Sequence, residues 1–217
     1  MNFNRTLFFV FLFFIFFQSV HSQELNKKLF NGFFNFEYQE NSNKIFLEVE
    51  KTNEEFLYVS SLTTGLGSND IGLDRGQLGQ ERIVKFKKYG NKILLIQPNS
   101  SFVALTNNDA EKKSVEQAFA RSVIFGFEII ETKKNSFVID FTPFLMQDTH
   151  GVINRLKSSG QGVYNLDLSK SALELESTKA FPNNVEFEAL LTFVGNPKGK
   201  LISSVSPDPS KVSVIQH

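Results

Sequence analysis

Arg82-Ile83-Val84-Lys85-Phe86-Lys87-Lys88 and Lys92-Ile93-Leu94-Leu95-Ile96, joined through Tyr89-Gly90-Asn91, decide how this chain folds. Ile83, Lys85 and Lys87 alternate with Arg82, Val84 and Phe86, which is the period of a half-buried strand. Gly90-Asn91 supplies the positive φ angles of a two-residue hairpin loop, so the stretch predicts an antiparallel hairpin. Working towards the N-terminus, 55–60 reads as another strand. Ile45, Leu47 and Val49 alternate with Lys44, Phe46, Glu48 and Glu50, and the polar turn 40–43 ties that strand to Phe33-Phe34-Asn35-Phe36-Glu37-Tyr38. Working towards the C-terminus, strands are predicted at 124–131, 136–141, 172–176, 185–194, 201–205 and 212–216. One amphipathic helix stands out at about 109–121. Asn108 and Glu111 have capping-box spacing, and Val115, Ala118, Phe119 and Ser122 share a face that would pack on the sheet. Thr142-Pro143 reads as an N-cap followed by proline at the first helical position, opening a short second helical region at about 143–157. Strands dominate and helices are inserted after a meander. The expected fold class is α+β and β-rich, mainly antiparallel sheet or sandwich, rather than a doubly wound sheet.

Composition narrows the function classes. The 217 residues carry 23 basic and 23 acidic side chains, a pI near 6.9 and no cysteine. A neutral chain offers no global field for a phosphate backbone, so nucleic acid is not an expected partner. Disulfides, thiolate nucleophiles and cysteine-based metal sites are excluded. Eight of the 25 phenylalanines fall in the first 17 residues, where residues 7–17 form an apolar run of eleven after Arg5. With Val20 and Ser22 at small-residue cleavage positions, 1–22 reads as a secretory signal peptide. A membrane-spanning helix needs about 20 apolar residues, more than this run provides. The expectation is an exported chain, periplasmic or secreted, beginning near Gln23, with no membrane anchoring after cleavage and a single domain over 23–217.

The least ordinary segment is 64–80, with five glycines between Gly65 and Gly79. It lacks the Gly-Lys-Ser/Thr ending of a phosphate loop, and its Asn69, Asp70 and Asp74 do not follow calcium-loop spacing. The plain expectation is a long ordered loop in which Asp74 and Arg75 pair with neighbours. Long loops also carry binding residues, so Ser68, Asn69, Asp70, Asp74, Arg75 and Gln77 are the candidate interaction residues. Catalytic machinery is not legible. His150 and His217 stand alone, no His-Glu-x-x-His or Gly-x-Ser-x-Gly motif occurs, and Asp148 with His150 reads as a surface turn. No catalytic and no metal residue is assigned.

The run Gly65-Leu66-Gly67-Ser68-Asn69-Asp70-Ile71-Gly72-Leu73-Asp74-Arg75-Gly76-Gln77 resembles the N-terminal region, a domain of unknown function (DUF5117), of secreted bacterial zinc-dependent metallopeptidases. The similarity continues through Leu94-Leu95-Ile96-Gln97-Pro98-Asn99, Asp140-Phe141-Thr142-Pro143-Phe144-Leu145, Gly160-Gln161-Gly162-Val163-Tyr164-Asn165-Leu166-Asp167 and Thr178-Lys179-Ala180-Phe181-Pro182-Asn183-Asn184. It ends at Val212-Ser213-Val214-Ile215-Gln216-His217. The resemblance implies a metzincin-like catalytic domain beyond this region, holding zinc on a His-Glu-x-x-His helix that has no counterpart here. Zinc is therefore expected only in that domain, and this chain is expected to be a fragment, inactive alone, whose partner is its own protease domain.

Two roles follow. The chain is either the non-catalytic domain that packs on and supports the protease domain, or a stand-alone exported β-rich binding module for carbohydrate, lipid or peptide. Docking through the glycine loop predicts an exposed apolar or glycine-rich patch there, with Asp70 or Asp74 able to reach the zinc. Packing of both the loop and the last strand on the domain's own core argues against docking at that place. A binding module predicts an apolar pocket with a few convergent polar groups.

Overall fold

A computed structural model describes residues 26–217; the signal-peptide expectation for 1–22 lies outside the described residues. Eight strands form one antiparallel sheet in the order β1 (Lys27–Phe30), β2 (Asn35–Gln39), β3 (Lys44–Val49), β9 (Phe137–Asp140), β8 (Ser122–Thr132), β7 (Lys92–Gln97), β6 (Arg82–Tyr89), β4 (Glu55–Tyr58). Five form a second sheet: β10 (Gly162–Leu166), β12 (Val185–Pro197), β13 (Lys211–Gln216) and β5 (Leu62–Thr64) in that order, with β11 (Ala172–Ala180) also on β12. The hairpin read from 82–96 is present, with Lys85 opposite Ile96 and Tyr89 opposite Lys92.

The two sheets share one core. Ile45, Leu47, Val49, Phe86, Ile93, Leu95 and Ile139 face inward from the larger sheet, and Tyr164, Leu191, Phe193, Val212 and Val214 from the smaller. Alternation explains the buried set directly, since every second residue of β3 is buried and the residues between are half-buried. Tyr164 buries its ring and donates its hydroxyl proton to Pro209 O at 2.6 Å, so the polar tip is satisfied.

The fold is more all-β than the expected α+β class. Four helices occur among the described residues, and only α1 (Asp109–Ala118) and α3 (Val152–Ser158) reach seven residues. Asn108 caps α1 as read, accepting a hydrogen bond from Ala110 N at 3.0 Å and donating to Glu111 Oε1 at 3.3 Å. The helix stops at Ala118, buries no residue, and does not pack flush on the sheet as its apolar stripe suggested. The region 143–157 is two helices, α2 (Thr142–Leu145) and α3. Thr142 is not the cap of α2: its Oγ1 accepts from Ile45 N at 2.9 Å, spending the hydroxyl on the sheet, and Phe141 takes the cap position. Asp148 caps α3 instead, its carboxylate accepting from Val152 N at 2.7 Å and Ile153 N at 3.0 Å.

The strand expected at 201–205 is helix α4 (Lys200–Val205). Its N-terminus is held from a distance by Gln161, whose Oε1 accepts from Ile202 N at 3.1 Å and whose backbone carbonyl accepts from Lys198 N and Gly199 N. One orphan donor of the first turn is thereby satisfied by a residue 41 positions away.

Candidate functional site

The glycine loop folds back on its own protein. Leu66 N donates to Leu73 O at 2.8 Å, Gly76 N to Leu62 O at 2.6 Å, and Gly79 N to Ser60 O at 2.7 Å. Leu66, Ile71 and Leu73 are buried in the common core. A 3-10 turn at Asn69–Ile71 ends at Gly72 in the left-handed region, where the Arg155 guanidinium donates to Gly72 O. Of the candidate interaction residues, Asn69, Asp70 and Arg75 are exposed, while Ser68, Asp74 and Gln77 are half-buried. Asp74 and Arg75 enter no ion pair among the described residues, contrary to expectation, because backbone hydrogen bonds and buried leucines hold the loop. No group of three or more His, Cys, Asp or Glu side chains converges anywhere among the described residues. The last strand is also packed, paired with β12 over Ala189 to Val194 and with β5 on its other side. Docking through the loop therefore loses its structural support.

His150, read as part of a surface turn, is buried at 8% exposure, and its Nε2 has no hydrogen-bond partner. Burial, then the nearby Arg155 charge, hold its pKa below the ordinary histidine value, against smaller raising contributions from the Ser61 backbone and Asp148. A neutral imidazole is thus favoured by the fold. The stability this contributes is fully present above the unfolded-state value near 6.5 and is lost as pH falls through that value towards the depressed folded one. Denaturation midpoints measured at intervals from pH 7.5 to 5 are expected to fall for the native chain and to fall less for His150→Gln. Parallel curves for the two proteins would show that His150 does not drive the loss.

A more suggestive cavity lies between the sheets. It measures about 330 Å³ and is lined by Phe33, Phe34, Phe56, Phe86, Phe141, Phe144 and Phe187, with Leu47, Tyr58 and Leu95. The rings interlock: Phe34 meets Phe56 at 5.2 Å and Phe86 at 5.6 Å, both edge-to-face. Leu57 and Val59 on one side, and residues 183–189 with Gln216 and His217 on the other, complete the lining. Glu188 is the buried acid of this wall, 8% exposed, with His217 Nδ1 3.4 Å from its Oε1. At that distance His217 Nδ1 is buried without a hydrogen-bond partner among the described residues. Burial also pushes the Tyr58 phenol upward.

Reading strands residue by residue did not reveal this cavity. Alternation shows that phenylalanines point inward but not that two sheets diverge around them. The available signal was Glu188, an acid adjoining the apolar run Ala189-Leu190-Leu191-Thr192-Phe193-Val194. A charged residue beside such a run is seldom buried without a reason.

These features define a two-sheet antiparallel β domain with an aromatic pocket opening between its sheets. Residues 76–217 match the model of a family described as a domain of unknown function (DUF5117), and the chain belongs to that family. No curated protein and no solved structure matches it.

Proposed function

We propose that this chain is the non-catalytic domain of an exported zinc-dependent metallopeptidase and that it packs on the protease domain. The observation that carries the reading is an exposed apolar face on the outer side of the larger sheet. Leu57 of β4 lies opposite Ile83 of β6, and both are exposed, as are Phe102, Val103 and Val123. Leu105 is 99% exposed. Phe102 stacks on Phe119 with ring centroids 3.9 Å apart, and between this segment, α1 and β6 runs a groove of about 570 Å³. Several large apolar side chains left exposed along one groove mark an interaction face. This replaces the glycine loop as the docking surface. The family resemblance supplies the partner's chemistry, and zinc belongs to that partner; among the described residues no three His, Cys, Asp or Glu side chains come together.

The coding DNA downstream of the His217 codon is expected to contain an in-frame His-Glu-x-x-His motif, and its absence sinks the reading. With that catalytic domain produced separately, sedimentation should show a one-to-one complex. Changing Ile83→Lys together with Phe102→Lys should weaken it at least tenfold, about 1.4 kcal/mol. A complex indifferent to both substitutions would place the interface elsewhere.

A second reading, a stand-alone binding module, is favoured by the inter-sheet pocket, which joins an aromatic lining to a few polar groups at one wall.

A further inference from the structure

We propose that the groove on the outer side of the larger sheet seats an amphipathic helix whose apolar stripe is bordered by Asp and Glu side chains, and that this helix belongs to the protease domain. Its assignment to that domain rests on the docking reading, whereas its form and charge come from the groove itself. Val84 and Phe86 of β6 are buried, so Ile83, Lys85 and Lys87 project from the outer face of the sheet. Ile83 and Ile96 from the sheet, with Phe102, Val103, Val115 and Phe119 from the 99–104 segment and the α1 side, supply the apolar lining.

The charged part of the lining is uneven. Lys85, Lys87, Lys112 and Arg121 stand there against Glu55 and Glu116, in a chain whose basic and acidic totals are equal. Glu55 is already taken by Lys85 at 3.2 Å, and Lys112 reaches Asp109 at 3.4 Å. Lys87 and Arg121 enter no ion pair among the described residues. The groove therefore keeps a surplus of positive charge around an apolar floor. Carboxylates on the occupant would supply the missing partners, and a basic occupant would meet like charge. The form of the occupant follows from the backbone. A sheet face presents side chains, while the N–H and C=O groups of β6 lie in the plane of the sheet, engaged with β4 and β7. An extended segment laid on that face would find no backbone partners, whereas a helix satisfies its own groups internally. A helix beside α1 also continues the layer that covers this side of the sheet. Its apolar stripe would enter the groove as amphipathic helices enter hydrophobic grooves generally.

The chain has no tryptophan, so a tryptophan in the probe reports its own burial. The probe is acetyl-Ser-Pro-Glu-Leu-Ala-Glu-Leu-Trp-Glu-Ala-Leu-Leu-Glu-Ala-Leu-Gly-amide, titrated with the full chain and followed by indole emission. A saturable blue shift is expected, with a rise in peptide helicity by circular dichroism. Replacing every Glu of the peptide by Lys should cut affinity about tenfold. Lys87→Glu together with Arg121→Glu should weaken the acidic peptide about tenfold and strengthen the lysine one, and Ile83→Ser should weaken both. No shift up to millimolar acidic peptide overturns the proposal, and so does equal affinity for the two peptides. Cosedimentation of the chain with phosphatidylglycerol vesicles that survives Ile83→Ser and is lost on Leu105→Ser overturns it in favour of a lipid surface. A groove that ignores the acidic peptide, while Ile83→Lys with Phe102→Lys still weakens the protease-domain complex, would overturn the acidic helix and leave the docking reading standing. Peptide binding with no His-Glu-x-x-His motif downstream would do the reverse, upholding the form and charge of the occupant and removing its assignment to a protease domain.

Discussion

Gly65→Ala should destabilise the domain by about 3 kcal/mol, at the upper end of what forcing atoms into a packed site costs. A Cβ at this position would lie 2.2 Å from Leu73 O, 2.6 Å from Asp74 C and 2.8 Å from Arg75 N. All three are backbone atoms, so no side chain can swing away. The adjacent Leu66 N to Leu73 O hydrogen bond must open instead, and with it the seating of Leu66 and Leu73 in the core. Gly65 is needed for space rather than for a left-handed conformation. Gly76 is the reverse case, with φ of +81° and nothing within 4 Å of an added Cβ. Gly76→Ala should therefore cost only about 1 kcal/mol, the penalty of the left-handed region. Urea midpoints for the two variants give the comparison. A Gly76 effect equal to or larger than that of Gly65 would mean that the loop is held by turn conformation and not by close packing.

That contrast shows what the sequence made legible. Its glycines announced a turn-rich ordered loop, and the structure has one. Which glycine is indispensable was not readable, because Leu73 O approaches Gly65 only after the loop has closed. The same division runs through the fold. The hairpin at 82–96 and the strands at 33–38, 44–50 and 212–216 follow from period-two alternation and turn residues that are local in sequence. The short strands β1, β5 and β10 escaped notice because their pairing partners, not their own pattern, make them strands. Leu201-Ile202-Ser203-Ser204-Val205 carries β-branched Ile202 and Val205 and reads as extended, yet Gln161 holds it as a helix from 41 residues away. Helix α1 fooled the reading in the opposite sense. Its cap was correct, but Val115 and Phe119 of its apolar stripe line an open groove and no residue of the helix is buried.

The functional surfaces divide in the same manner. Candidate residues chosen for unusual local composition, Ser68 to Gln77, turn out to belong to a loop anchored by its own hydrophobic residues. The pocket and the outer apolar face are products of tertiary arrangement. In the pocket, phenylalanines from β4, β6, β12, α2 and the 33–34 segment meet although they are spread over more than 150 residues. A composition rich in phenylalanine was the trace of this in the sequence, and the structure sorts those rings into three uses: core, pocket wall and exposed face.

Phe86→Ala tests that sorting most severely and should cost about 3–5 kcal/mol. Phe86 is 2% exposed at the junction of core and pocket, 5.6 Å from Phe34, 5.4 Å from Phe56 and 6.2 Å from Phe127 by ring centroids. Truncation removes the ring's own burial and also the edge-to-face partners of its neighbours, each pair adding about 0.5–1.5 kcal/mol beyond area. The space cannot close by side-chain adjustment alone, because β6 is fixed between β4 and β7 by its ladders. Against a total stability of about 5–15 kcal/mol for a domain, such a loss leaves a substantial unfolded population near physiological temperature. Phe102→Ala changes the same side chain where it is 52% exposed and stacks only on Phe119. Its expected cost is within about 0.5 kcal/mol, as for surface positions generally. Denaturant midpoints with unchanged slopes would confirm that both act on the same two-state transition. A Phe102 loss approaching that of Phe86 would show that the outer face is buried against the domain itself, which would remove the docking surface along with the stability argument.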